Sequence, residues 1–158
     1  MQWFHAVRNK NKKYTFYKML KIKTKKLSEN AMMPQQMNVG DAGFDLVATS
    51  RCIDKKHNAV VYGTGLSFEL PDGYAMFIFP RSSSYKHHAL MANCVGVVDS
   101  GYRGEVHVMF RGLDCDYEVG DRIAQAVIMP IPSVEYVEAE ELSDSERGAN
   151  GIGSTGVR

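Results

Sequence analysis

The chain has 158 residues, 44% hydrophobic and 23% charged, the size and balance of one globular domain rather than two. No apolar run approaches the roughly 18 residues of a membrane-spanning helix, and the start lacks the basic-then-apolar pattern of an export signal, so export is not expected. Cys52, Cys94 and Cys115 form no CxxC pair and His87-His88 is no HxxxH, which argues against a disulfide framework or a histidine-held metal and suits a cytoplasmic location.

Charge is unevenly spread. Nine of the 19 Lys/Arg and none of the 18 Asp/Glu lie within residues 1–26, a basic arm on an acidic body. Residues 1–18 are expected to be a disordered extension; nucleic-acid contact by the arm is the weaker expectation. From Met19 the pattern becomes period-two alternation broken by turn residues, which predicts strands. In chain order the expected strands are Leu20–Lys23, Phe44–Ala48, Ala59–Tyr62, Leu66–Leu70, Tyr74–Phe79, Cys94–Val98, Glu105–Phe110, Ile123–Met129 and Val134–Glu138. Turns fall at Pro71-Asp72-Gly73, Asp99-Ser100-Gly101 and Val119-Gly120-Asp121, where glycine and aspartate suit tight bends. Ser83–His88 is the one expected helical turn, with serines to cap it. Many short strands imply an all-β sandwich, jelly roll or barrel over residues 19–142. The glycine-rich tail, 143–158, cannot build a core and should order only over a ligand.

Several polar segments interrupt this pattern. Pro80-Arg81-Ser82-Ser83 closes an apolar strand with a cation and two hydroxyls, donors that match phosphate oxygens; a surface turn with a helix cap is the plainer alternative. Gly120 to Gln125 puts Arg122 and Gln125 at the mouth of a buried-looking strand, with an Asp121–Arg122 ion pair expected. Arg147 to Gly156 is glycine-rich backbone able to approach phosphate, though not a Walker A loop. Gly96 to Glu105 is a hairpin in which Asp99 follows Val97-Val98. A turn aspartate usually caps a bend, but here it could instead orient water at a phosphoryl group.

Taken together with Asp41-Ala42-Gly43-Phe44-Asp45-Leu46, these segments resemble, in order and spacing, the five motifs of the trimeric all-β dUTPases. The resemblance implies a distorted jelly roll or β-barrel whose flexible tail is exchanged between subunits, and a homotrimer with three shared sites. The implied reaction converts dUTP to dUMP and pyrophosphate, limiting uracil in DNA and supplying dUMP for dTMP synthesis. Asp99 matches the base that orients water toward the α-phosphorus, and Tyr102 the aromatic under the deoxyribose, where a 2′-hydroxyl would clash. Asn93, Gly96, Val97 and Val98 match the hairpin that reads uracil. Arg81, Ser82, Ser83 and Gln125 match phosphate contacts, and Arg147, Gly153, Ser154 and Thr155 the tail's grip on the β- and γ-phosphates. Mg²⁺ is implied, held mainly by the triphosphate and water rather than by protein ligands. Asp45 matches a first-motif acid expected to act structurally or indirectly. Ile152 stands where the family usually has phenylalanine over uracil, and Ser83 and Asn150 replace common glycines.

Two rivals follow. The dCTP deaminases share the fold and related motifs, but Met109 stands where that family has its catalytic glutamate, ten residues after the aspartate. A non-catalytic, nucleotide-responsive binding module is the other.

Overall fold

Side-chain alternation decides where the strands run and which face turns inward. In β11 (His107–Arg111) Val108 and Phe110 are buried while His107, Met109 and Arg111 point outward, the period of two that a pleated strand imposes. The computed structural model describes residues 4–8 and 14–151. These include β1 (Phe4–Arg8), β2 (Tyr14–Lys18), β3 (Lys23–Lys26), β4 (Phe44–Val47), β5 (Ser50–Asp54), β6 (Ala59–Gly63), β7 (Leu66–Glu69), β8 (Tyr74–Phe79), β9 (Leu90–Met91), β10 (Gly96–Val98), β11 and β12 (Arg122–Pro130). All pairings among them are antiparallel.

Two four-stranded sheets, ordered β10-β8-β12-β4 and β5-β6-β11-β9, form the all-β, jelly-roll body, with β3 and β7 as a short ribbon. The core lies between them. Leu46, Met76, Ile78, Val98, Ala124 and Ala126 come from one sheet, Val60, Tyr62, Met91, Val108 and Phe110 from the other, and Leu66 and Phe68 from β7. Each large apolar side chain buried there contributes roughly 1.5–3 kcal/mol. Tyr62 carries the polar centre of this core. Its Oη donates to the Tyr117 carbonyl (2.7 Å) and accepts from Arg51 Nε (3.2 Å), and its ring packs edge-on to Phe110 and Tyr117. Burial pushes the Tyr62 phenol up to about 12 and raises Tyr117 as well.

Several expectations shift. The first body strand runs Lys23–Lys26 rather than Leu20–Lys23, because Lys23 pairs opposite Glu69 and bonds to it at 2.7 Å; Leu20 and Ile22 line an apolar cavity instead. Strands β5 and β9 went unpredicted. β5 exposes Ser50 to Ile53, so it shows no apolar alternation, and β9 has two residues. Val134–Glu138 is not a strand: it has no ladder partner among the described residues, and Tyr136 is 96% exposed. The helical turn is a 3-10 turn, Ser84–His87, and no serine side chain caps it; Ser83 Oγ accepts from Arg81 instead (3.2 Å). The basic arm, expected to be disordered, carries β1 and β2, which pair with each other.

The fold places its polar segments at the ends of one strand. β8 is central, flanked by β10 and β12, and the second and third motif segments adjoin its opposite ends.

Candidate active site

At the β10 edge, Asn93, Gly96, Val97, Val98, Asp99 and Tyr102 line a cavity of about 440 Å³ together with Ile78, Glu105, His107 and Met109. β10 pairs Gly96 with Ile78 and Val98 with Met76. A side chain at Gly96 would crowd Ile78 Cβ (3.2 Å) and Asn93 Nδ2 (3.4 Å), so glycine keeps this wall flat. The chain then turns at Asp99, whose carbonyl accepts the Tyr102 N–H at 3.1 Å. The Tyr102 ring folds back over Gly104, where any Cβ would collide with it, and its Oη donates to the Glu105 carbonyl at 2.9 Å. A flat apolar wall with an aromatic and a carboxylate at its rim suits a nucleoside with its first phosphate near the acid.

A second cavity, of about 260 Å³, is lined by Gln35, Met37, Asp41, Gly43, Asp45, Arg81, Ser82 and Gln125. Antiparallel pairing of β12 with β4 sets Gln125 opposite Asp45. Arg81 Nε donates to Asp45 Oδ1 (2.8 Å) and Arg122 to Asp45 Oδ2 (3.0 Å), so one largely buried carboxylate holds two guanidiniums. Arg81 also donates to the Arg122 carbonyl (3.2 Å), and Gln125 Nε2 to the Pro80 carbonyl (3.0 Å). The expected Asp121–Arg122 pair is not formed; Asp121 accepts the Glu118 N–H instead (2.9 Å). An arginine fixed by a carboxylate behind it, with hydroxyl and amide donors alongside, suits phosphate oxygens.

The two cavities are separate. Val98 lies opposite Met76, whereas Arg81 follows the far end of β8; five residues at the strand rise make roughly 16 Å along the strand. Asp99 and Arg81 of one chain therefore do not face a common phosphate. In the tail, Arg147 Nε donates to the Asn150 carbonyl (3.0 Å) within a local turn. Ile152, Gly153, Ser154 and Thr155 lie outside the described residues. Sequence reasoning missed Gln35, Arg122 as a partner of Asp45, and the pair Glu105 and His107. Gln35, Arg122 and Glu105 owe their places to contacts with residues distant in sequence, Asp45 for the first two and Gly65 for the third, for which no local pattern exists.

An all-β chain with a nucleoside-sized apolar cavity, an acid at its rim and a separate arginine-based anion seat is of the nucleotide-binding class. The family model described as dUTPase matches residues 29–156. The deoxyuridine 5'-triphosphate nucleotidohydrolase of Nautilia profundicola is 44% identical over 141 residues, which span 87% of this chain and 99% of that protein. Its counterpart from Thermobifida fusca is 42% identical over 142 residues, 87% of this chain and 79% of that one. The structure of the dUTPase of Staphylococcus bacteriophage 80alpha with dUpNHpp is similar at a TM-score of 0.75 and 28% identity, covering 87% of this chain and 99% of that one. The chain belongs to the dUTPase family.

Proposed function

We propose that this chain hydrolyses dUTP to dUMP and pyrophosphate in sites shared between three identical subunits, each completed by a third subunit's tail. The carrying observation is the separation of the two cavities. A triphosphate whose α-phosphorus sits at Asp99 cannot also lie on Arg81 and Gln125 of the same chain, but it can when a symmetric copy brings its anion seat to the nucleoside cavity. There the Asp99 carboxylate takes a proton from a water placed for in-line attack. The water oxygen bonds to the α-phosphorus, and the α–β bridging oxygen leaves with pyrophosphate. Arg81, Ser82, Ser83 and Gln125 hold phosphate oxygens, with Arg147, Gly153, Ser154 and Thr155 of the tail closing over the β- and γ-phosphates and Ile152 over the base. Tyr102 under the sugar excludes a 2′-hydroxyl, while Asn93 and the Gly96–Val98 strand read uracil.

The described residues hold no group of three or more His, Cys, Asp or Glu placed to bind a metal, and Asp45 has one oxygen on Arg81 and the other on Arg122. Such a site fits Mg²⁺ carried by the triphosphate, with phosphate and water oxygens as most of its ligands. The ion, when bound, neutralises phosphate charge. Met109 lines the same cavity as Asp99, so a thioether occupies the wall where a deaminase would need its acid. This favours hydrolysis over deamination. No helix of the described residues is long and apolar enough to cross a membrane; the cytoplasm is the location we propose, where the reaction would keep uracil out of DNA and supply dUMP.

Subunit complementation tests the shared site. Asp99→Asn and Arg81→Ala homotrimers should each be inactive, while a co-refolded equal mixture should regain activity in about a quarter of its sites, since each takes Asp99 and Arg81 from different chains. No recovery in mixed trimers would overturn the arrangement.

A further inference from the structure

Glu105 belongs to no expected contact of the reaction, yet it joins three elements around Tyr102. Its carboxylate Oε1 accepts the Gly65 N–H at 2.8 Å, crossing Gly63 where a Cβ would strike that same oxygen. Its other oxygen stands 3.6 Å from His107 Nε2. Its backbone carbonyl receives the Tyr102 hydroxyl at 2.9 Å and faces His107 Nδ1 at 3.1 Å. The Tyr102 ring is thus referenced to Glu105, and Glu105 to the turn that opens β7. Gly65 is itself set by its surroundings: it has φ of +64°, and a Cβ there would collide with Ser28 Oγ.

We infer that Glu105 is a positioning residue for sugar selection: by tethering its own backbone to Gly65 it fixes the height of the Tyr102 ring, and so the clearance left for a 2′-hydroxyl. This rests on the hydrolytic reading above. The fold does not need the tether to hold this segment, because Val106 N–H donates to the Leu66 carbonyl (2.9 Å), Thr64 N–H to the Val106 carbonyl (3.2 Å) and Ser67 Oγ to the Arg103 carbonyl (2.6 Å). The Glu105 carbonyl shares its peptide with the Val106 N–H, so loss of the carboxylate leaves that peptide anchored at Leu66 alone, free to tilt about that bond and carry the Tyr102 ring with it without dismantling the strand. Steric exclusion is steep in distance, so a small displacement of Tyr102 relaxes discrimination more than it slows turnover of the correct sugar.

The test compares kcat/KM for dUTP and UTP in wild type, Glu105→Ala, Glu105→Asp and Glu105→Gln. Glu105→Ala, and Glu105→Asp with its shorter reach, should lower the dUTP/UTP preference about tenfold, with kcat for dUTP changed by no more than about threefold. Glu105→Gln keeps an oxygen for the Gly65 N–H and should restore the preference. An unaltered preference in a folded Glu105→Ala or Glu105→Asp enzyme, or a Glu105→Gln enzyme as unselective as Glu105→Ala, overturns the inference. A wild-type protein that released no pyrophosphate from dUTP would sink the hydrolytic reading separately; binding of dUMP against UMP across the same variants would still decide the role of Glu105.

Discussion

Removal of the Asp45 carboxylate should both destabilise the fold and weaken nucleotide binding, by amounts its surroundings allow to be worked out. The side chain is 13% exposed, Arg81 22% and Arg122 41%. A charge-assisted hydrogen bond contributes about 1.5–3 kcal/mol, and a fully buried guanidinium left without its carboxylate would cost about 3–5 kcal/mol. Arg81 falls short of that extreme, because Ser83 Oγ and the Arg122 carbonyl remain as acceptors, each at 3.2 Å. Arg122 is open enough to water that its share is at most about 1 kcal/mol. Asp45→Ala should therefore cost about 2–4 kcal/mol, and Asp45→Asn, which keeps one oxygen but not the charge, about half as much. For a domain of this size the alanine variant should melt about 5–12 °C lower, measured at fixed protein concentration because the assembly proposed above would contribute to apparent stability. Released from its anchor, Arg81 samples rotamers away from the anion seat, so KM for dUTP should rise about tenfold with a smaller change in kcat. The assay is pyrophosphate release from dUTP beside thermal unfolding. An Asp45→Ala enzyme within about 0.5 kcal/mol of wild type would refute the clamp. Lowered stability at unchanged KM would refute its link to phosphate binding.

Three further outcomes are expected. Asp99→Asn should keep affinity for dUTP, measured by calorimetry, while abolishing pyrophosphate release, because the amide still fits the rim but takes no proton from water; lost binding would contradict the assignment. Ile152→Phe should tighten binding of a non-hydrolysable dUTP analogue, aromatic stacking adding roughly 0.5–1.5 kcal/mol, and unchanged affinity would count against Ile152 as the cover of the base. The Tyr62 phenol is raised from its ordinary 10.0 to about 12 by burial, so the unfolded chain gives up this proton first. Its contribution is complete below pH 10 and is lost as pH rises through 12, roughly 3 kcal/mol in all. The alkaline unfolding transition of wild type should fall in that window, and Tyr62→Phe should flatten the pH dependence.

Local pattern was enough where a strand has one face in the core. Phe44–Val47, Leu66–Glu69, Tyr74–Phe79 and Gly96–Val98 all lie within their expected spans, and in Gly96–Val98 two buried residues flank exposed Val97, the alternation a one-sided strand writes into adjacent positions. It failed where pairing rather than burial makes the strand. β5 holds its place through five residues aligned against β6, from Ser50 with Gly63 to Asp54 with Ala59, although Ser50 to Ile53 are exposed. Val134–Glu138 fails in the opposite sense, with the alternation present and no ladder beside it among the described residues. The site divides in the same manner. Its donors and acids were readable as residue types in short motifs, but the partner of Arg122 was not. Asp121 is its neighbour in sequence, and the β12–β4 register offers Asp45 in its place.

The separation of Asp99 from Arg81 is the plainest case of what register adds. In sequence the two motifs are 18 positions apart, close enough for one compact site. Antiparallel pairing sends them apart instead: the chain leaves β8 at Phe79, passes Arg81, crosses to β9 in the other sheet and returns through β10, so each further residue toward Asp99 moves back toward Tyr74. A longer connection would not help, because Val98 opposite Met76 is set by which faces are buried, and a one-residue slip would turn buried Val98 outward. In the shared site we propose, the acid meets the phosphates from outside the chain: a symmetric copy would do this without new sequence, since it carries the same arginine-lined cavity on a different surface. That proposal links reaction to assembly: variants that weaken subunit contacts should lose turnover at dilutions where each subunit is still folded.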